Sequence, residues 1–363
     1  MLASAGDNIL GFRNDALEGQ GLPYSSERLN RYRVALESPM RQNLANWRTS
    51  METILTRSSG KAAEIIKRGG IVAFPTETVY GLGADVFNSD AVARIFDAKM
   101  RPADNPLIAH IGDLSQISYL AADVPESASQ LIAEFFPGPL TVVLKRSAAV
   151  PLIATAGLDS IGVRMPGNEL ASDFLKKCGS PVVAPSANLS GRPSPTTWKA
   201  VLEDLNGRID CILQGHATKV GLESTVVDCT VEPPVVLRSG AVSLEELKSV
   251  VPAIEPYQPL KGEAPRSPGL KHRHYSPKAN VFLFDVGPPT ADHQADACIC
   301  ISNIPNEFAY FMRCDSTEEY ASQLYEFFRE CDRKGIDNVF CETVPETGLG
   351  AALMDRLRRA AEK

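Results

Sequence analysis

The chain has 363 residues, with 37 Lys and Arg against 44 Asp and Glu, a formal net charge of −7 and 44% hydrophobic residues. That length exceeds what one hydrophobic core ordinarily supports, so two globular domains are expected. The acidic balance argues against coating nucleic acid through bulk charge, although a local basic cleft could still take a polyphosphate or a tRNA surface, and no apolar run approaches the ~20 residues that span a bilayer, so a soluble, cytoplasmic protein without membrane contact is expected.

Residues 1–50 show no sustained hydrophobic period and contain Gly19-Gln20-Gly21, which reads as a disordered or loosely held extension. Asp7, Asp15, Glu18, Glu27 and Glu37 make it too acidic for a transit peptide, and Met51 is a second plausible start. The first domain is read over 51–251, where strands and helices alternate. Residues 61–67 form a helix that Gly69 and Gly70 end. The apolar strand 71–74 follows and breaks into PTETVYGLG (75–83), whose hydroxyls, carboxylate and glycines suit a ligand-binding loop. A helix beginning near Ser89 and Asp90 leads to KMRPADNPL (99–107), where Pro102 and Pro106 stop any continuation. Beyond it, 107–111 and 140–144 read as strands, with a helix between them from about 125 to just before Pro137. Residues 160–166 form a strand that carries Arg164 in an otherwise apolar run. Further helices are expected at 170–178, 195–205 and 244–251. The apolar strand 181–184 breaks into Ser186 and Asn188, while Glu223-Ser224-Thr225 and Leu237-Arg238-Ser239-Gly240 repeat the pattern of an apolar strand with a polar end.

Residues 252–277 are rich in Pro, Gly and charge and read as an interdomain linker. A second α/β unit is expected over 278–363, with strands at 281–284, 297–301 and 338–341. Between them Tyr320, Leu324, Phe327, Phe328 and Cys331 recur at helical spacing. The eight cysteines form no CxxC pair and mostly sit in apolar runs, as buried thiols of a reducing compartment would.

Convergence of these strand ends would gather hydroxyls, amides and guanidinium groups around one anionic ligand. The usual nucleotide fingerprints are missing: there is no phosphate-binding GxxxxGK[ST], and the Gly-x-Gly pairs at 81–83 and 348–350 lack the third glycine of a dinucleotide loop. Phosphates would then be held by side chains and loop N–H groups, with Lys99 and Arg101 as the leading candidates. Arg164, in a half-buried strand, needs an anion, because an unpaired buried guanidinium costs on the order of 3 to 5 kcal/mol. That anion is either a structural Asp or Glu or a ligand carboxylate. Ser186 and Asn188 lie at a strand end, as a binding pair or as a local turn.

PTETVYGLG, KMRPADNPL, PGPLT (137–141), VRMP (163–166), APSAN (184–188) and ESTVVD (223–228), in this order, resemble the motifs of the YrdC-type threonylcarbamoyl-AMP synthases. The resemblance covers about residues 60–250 and continues into SPGLKHRHYSP (267–277), which is similar to the linker of the two-domain members, and into ETGLG (346–350). It implies a twisted mixed sheet with helices in a YrdC-like domain, joined by a linker to a small Rossmann-like domain. It also implies that L-threonine, bicarbonate or CO₂, and ATP become threonylcarbamoyl-AMP and pyrophosphate, for transfer by a tRNA threonylcarbamoyl transferase complex in t6A modification. By the same resemblance Lys99, Arg101, Ser186 and Asn188 are the catalytic tetrad, and Thr76, His110, Arg164, Ala184 and Ser224 contact threonine. Asn105, Ser160, Ser194, Arg238 and His272, together with the tetrad members Lys99, Arg101 and Ser186, contact ATP. Mg²⁺ would arrive on the phosphates, with no metal held by protein ligands alone. His272 stands where the family usually has an aromatic or similarly flat side chain.

A rival from another class is an RNA-binding module of the same fold without turnover, which predicts salt-sensitive RNA affinity and no nucleotide consumption; a weak tRNA contact is compatible with either reading. A hydrogenase-maturation-type carbamoyl transferase would require CxxC pairs that are missing here.

Overall fold

The computed structural model describes residues 52–257, 276–285, 293–303 and 308–362. The expected extension (1–50), most of the linker and His272 lie outside the described residues.

Eleven strands form one mixed sheet: β1 (Ile54–Thr56), β2 (Val72–Phe74), β3 (Gly81–Asp85), β4 (Ile108–His110), β5 (Leu140–Lys145), β6 (Ser160–Arg164), β7 (Val182–Ala184), β8 (Cys211–Leu213), β9 (Thr225–Asp228), β10 (Val235–Arg238) and β11 (Glu255–Pro256). Their order is β1-β8-β2-β3-β7-β4-β6-β5-β9-β10-β11. The end of the sheet reaches past residue 251 into the expected linker, because β11 pairs in parallel with β10.

The helices follow their sequence signals. In α1 (Ser59–Lys67) the Ser58 hydroxyl caps the N-terminus by accepting from the Lys61 N–H, and the face Ser59, Ala62, Ala63, Ile66 is buried at helical spacing. It shares a core with α2 (Glu169–Cys178) through Phe174, Leu175 and Cys178. Asn88 caps α3 (Ser89–Lys99), which ends in a left-handed turn at Met100 (φ 53°). That turn sends Lys99 inward, where it is 1% exposed, and leaves Met100 outside. Helices Glu126–Phe135, Trp198–Leu205 and Leu244–Val250 match the expectations at 125–136, 195–205 and 244–251, although the second starts at Trp198, with Thr197 as its cap.

One motif is corrected. Gly81 and Gly83 belong to β3, which pairs antiparallel with β2; Gly81 at its start faces the main cleft, whereas Gly83 does not line it. A Cβ on Gly83 would stand 2.5 Å from Val182 Cγ1 and 2.9 Å from the Phe74 ring, so this glycine serves strand packing. The loop proper is Pro75 to Tyr80.

The second unit is an all-parallel sheet of four strands, β12 (Asn280–Phe284), β13 (Ala297–Cys300), β14 (Tyr310–Arg313) and β15 (Asn338–Glu342), ordered β12-β15-β13-β14. It is packed by α4 (Thr317–Lys334) and α5 (Leu349–Ala361), with Leu324, Phe328, Ile299, Val339 and Leu353 in its core. Val79 and Leu222, from loops of the large sheet, are buried in this same core. Gly221 makes the approach possible: at φ 78° it lies so close to α4 that a Cβ would collide with Ser322 Cα. All eight cysteines are buried free thiols. No helix among the described residues is long and apolar enough to cross a membrane.

Candidate active site

A cleft of about 690 Å³ lies over the middle of the large sheet, lined from β3, β4, β6 and β7 and the loops beside them. Thr76, Thr78, Arg101, His110, Arg164, Ala184, Ser186, Asn188, Ser194, Ser224 and Arg238 all face it.

On one wall, Thr76 folds the 75–80 loop over itself. Its Oγ1 accepts from the N–H groups of Thr78 (3.2 Å) and Val79 (3.3 Å) and lies 2.8 Å from Thr78 Oγ1. Thr78 Oγ1 accepts from Arg164 Nη1 at 2.8 Å, and Arg164 Nε donates to Gly138 O at 3.2 Å. These two bonds fix the guanidinium plane at the end of β6. Arg164 Nη2 lies 2.7 Å from Glu77 Oε1, but the approach is out of line: Nη2 and both Glu77 oxygens are buried without a hydrogen-bond partner among the described residues. A ligand carboxylate meeting Nη2 head-on would complete what Glu77 only neutralises. His110, in register with Arg164 across β4 and β6, packs edge-on against Phe74 at 5.7 Å. Burial, with the Arg164 charge second, pushes its pKa down to about 3, so the ring is neutral near pH 7.

The second wall is the loop after β7. Lys99 Nζ donates to Ser186 O and Asn188 O, both at 2.5 Å, and Ser186 Oγ donates to Asn188 Oδ1 at 2.6 Å. Asn188 Nδ2 donates to Leu189 O and Arg192 O. Burial, with the neighbouring Arg101 charge second, holds the Lys99 pKa well below its ordinary value. Lys99 therefore braces this wall from beneath, whereas Arg101 reaches the cleft.

The third wall joins Ser194 to ESTVVD. Ser194 Oγ donates to Glu223 Oε1 at 2.7 Å. Arg238 Nε and Nη2 hold Ser224 O at 3.1 and 2.9 Å, and Ser224 Oγ lies 2.8 Å from Thr141 Oγ1. Burial alone would raise the Glu223 pKa, but the Arg356 and Arg238 charges outweigh it and hold the carboxyl below its ordinary range.

Three expected contacts sit apart. Lys99 and Asn105 are buried behind the lining, and both amide atoms of Asn105 are without a hydrogen-bond partner among the described residues. Ser160 lines a smaller neighbouring cavity with Leu158, Gly162 and Val143. Thr78, Arg192 and Glu223, to which no individual contact was assigned from the sequence, also face the main cleft, whereas Glu77 is not part of its lining. Thr78 lies within PTETVYGLG, whose hydroxyls already pointed to a ligand, and Glu223 opens ESTVVD, so position in a motif could have flagged it. Arg192, among Gly and Pro, carried no such signal.

Residues 64–240 match the family described as "Telomere recombination", and residues 242–362 match "Threonylcarbamoyl-AMP synthase, C-terminal domain". The chain is 43% identical over 315 residues to a threonylcarbamoyl-AMP synthase of Pyrococcus abyssi, covering 83% of this chain and 93% of that protein. It belongs to the threonylcarbamoyl-AMP synthase family. The synthase of Bacillus subtilis is 40% identical over 319 residues, covering 83% of this chain and 92% of that protein. A crystal structure of P. abyssi Sua5 complexed with L-threonine superposes with a TM-score of 0.78 at 42% identity, over 85% of this chain and 97% of that one. Both the large mixed sheet and the small parallel sheet thus have their counterparts in the two-domain members of the family.

Proposed function

We propose that this chain is an L-threonylcarbamoyladenylate synthase, a nucleotidyltransferase that makes threonylcarbamoyl-AMP and pyrophosphate from L-threonine, bicarbonate or CO₂, and ATP. The observation that carries this reading is Arg164: a buried guanidinium fixed by Thr78 and Gly138 and neutralised by Glu77 at 2.7 Å, facing a cleft of hydroxyls and further cations. A relative crystallised with L-threonine supports the choice of threonine as a substrate.

The chemistry is positioning and charge neutralisation. The threonine amine attacks CO₂, losing a proton to form a carbamate. A carbamate oxygen then attacks the α-phosphorus of ATP, the bond to the β-phosphate oxygen breaks, and pyrophosphate leaves with its electron pair. Arg164, Thr76 and Ser224 hold the amino acid, while neutral His110 adds an apolar wall without a competing charge. Arg101, Ser186, Asn188, Ser194 and Arg238 orient and neutralise the phosphates, and Lys99 keeps the Ser186 and Asn188 loop in place. One well-aimed donor contributes about 3 kcal/mol and proximity up to about 7 to 11.

The described residues offer no protein cage for Mg²⁺. No cluster of three or more His, Cys, Asp or Glu among them could hold an ion, and the cleft carboxylate Glu223 and the nearby Glu77 each face an arginine. The ion belongs to the substrate, as MgATP. The product would pass to a tRNA threonylcarbamoyl transferase complex in the cytoplasm. The reading is tested by pyrophosphate release with each substrate omitted in turn. Release that needs both threonine and bicarbonate supports it; equal release without threonine refutes it.

A further inference from the structure

Glu223 is placed unusually for a residue facing the cleft, because most of its partners belong to the other sheet's helices. Tyr325 OH, from α4, lies 3.2 and 3.0 Å from its two oxygens, and Arg356 Nε, from α5, donates to Oε2 at 2.8 Å. Both side chains are completely buried. Arg356 Nη2 also donates to Ser239 O at 3.0 Å, next to Arg238, which holds Ser224. On the cleft side the same carboxylate accepts from Ser194. The seam is apolar and close around this point: Val79 and Leu222 are buried in the small sheet's core, and Gly221 touches the α4 backbone. A charge-assisted bond shared between two elements transmits a shift in one to the other, since leaving the buried carboxylate short of donors is costly.

We propose that Tyr325 and Arg356 are positioning residues for the nucleotide side of the cleft, acting through the Glu223 carboxylate that they share with Ser194. Building on the function proposed above, this gives the second sheet a part in substrate binding that the cleft residues alone do not show. With the Tyr325 hydroxyl removed, Glu223 turns toward its remaining donors, and Ser194 loses the orientation in which its oxygen meets the ligand.

The experiment is calorimetric titration of the full chain with MgATP, comparing wild type with Tyr325→Phe, Tyr320→Phe, Ser194→Ala and the Tyr325→Phe/Ser194→Ala double variant. Tyr320 is the control: it is equally buried on the same helix, but its hydroxyl donates to Glu342 O, away from the cleft. Tyr325→Phe is expected to weaken ATP roughly threefold to tenfold, as couplings between contacting residues do. Tyr320→Phe should bind as wild type, and the Tyr325→Phe loss should vanish in the Ser194→Ala background. Arg356→Lys, which keeps the charge and loses the fork between Glu223 and Ser239, should show the same dependence on Ser194. Equal losses in Tyr325→Phe and Tyr320→Phe, additive losses in the double variant, or no loss at all would each overturn the proposal and leave Tyr325 as domain glue. Absence of threonine-dependent pyrophosphate release alongside a normal coupling in ATP affinity would instead refute the proposed reaction and uphold the positioning role. A wild-type chain that binds no ATP would refute both.

Discussion

The Arg164 wall and the Ser186 wall are built on opposite economies of hydrogen bonding. Around Arg164, Nη1 and Nε are held by Thr78 and Gly138 while Nη2 is met by the Glu77 carboxylate at 2.7 Å as an ion pair. Around Ser186 nearly every polar atom is spent within the protein, through Lys99, Asn188 and the carbonyls of Leu189 and Arg192. The first arrangement keeps a charged group facing the cleft. The second keeps shape, so that the half-buried Ser186 hydroxyl meets a ligand without reorganisation.

Substituting the two cations separates these roles, and the largest effect belongs to Arg164. Arg164→Ala should weaken L-threonine by about 2 to 4 kcal/mol, roughly 30- to 900-fold, through loss of a charge-assisted contact, while ATP titration changes little. Equal losses for both ligands would mean that the variant has simply unfolded locally. Lys99→Met keeps the length of the side chain and strips the bracing bonds, so about 2 to 3 kcal/mol of stability should go, as expected for buried carbonyls left without donors. Denaturant titration measures this, and a wall that does not depend on Lys99 would show an unchanged midpoint.

His110 reports on the electropositive side of the comparison. Its folded-state pKa of about 3 lies below the ordinary 6.5, so the unfolded chain takes up the proton first. The stability contribution is full above pH 6.5 and is lost as pH falls from there toward 3, about 2 kcal/mol of it by pH 5. Melting of wild type and His110→Gln at pH 7.5 and pH 5 should show the variant losing less on acidification. Parallel losses would mean that the ring is protonated in the fold. The smallest effect is expected from Ser186→Ala: about 1 kcal/mol in ATP affinity for one hydrogen-bonding group, with no change in threonine affinity.

The helices and the central apolar strands were legible because glycines, prolines and 3.6-residue periodicity are local signals, as at Gly69-Gly70 and Pro137, while the caps Ser58 and Asn88 emerge only in the structure. Strands β1 and β8, three residues each, were not, since their place comes from pairing with each other and with β2 across more than a hundred residues. The motif glycines misled for a related reason: what excludes a side chain at Gly83 is Val182, which sequence proximity cannot reveal. Of the cleft, the motifs contained Arg164, Ser186 and Ser224, but not the division of labour that puts Lys99 behind the wall. Glu223 was passed over because its partners Tyr325 and Arg356 lie in the other domain.

The buried thiols give the molecule an internal clock for opening. Cys178, Cys211 and Cys229 belong to the large sheet and its helices, whereas Cys298, Cys300, Cys314, Cys331 and Cys341 belong to the small one. Burial pushes Cys178, Cys211, Cys229, Cys314 and Cys331 up to about 12, and only the thiolate reacts with an alkylating reagent. Modification therefore has to wait for each sheet to breathe. The order in which the two sets of peptides acquire label shows which sheet yields first, and whether the seam at Glu223 makes them yield together.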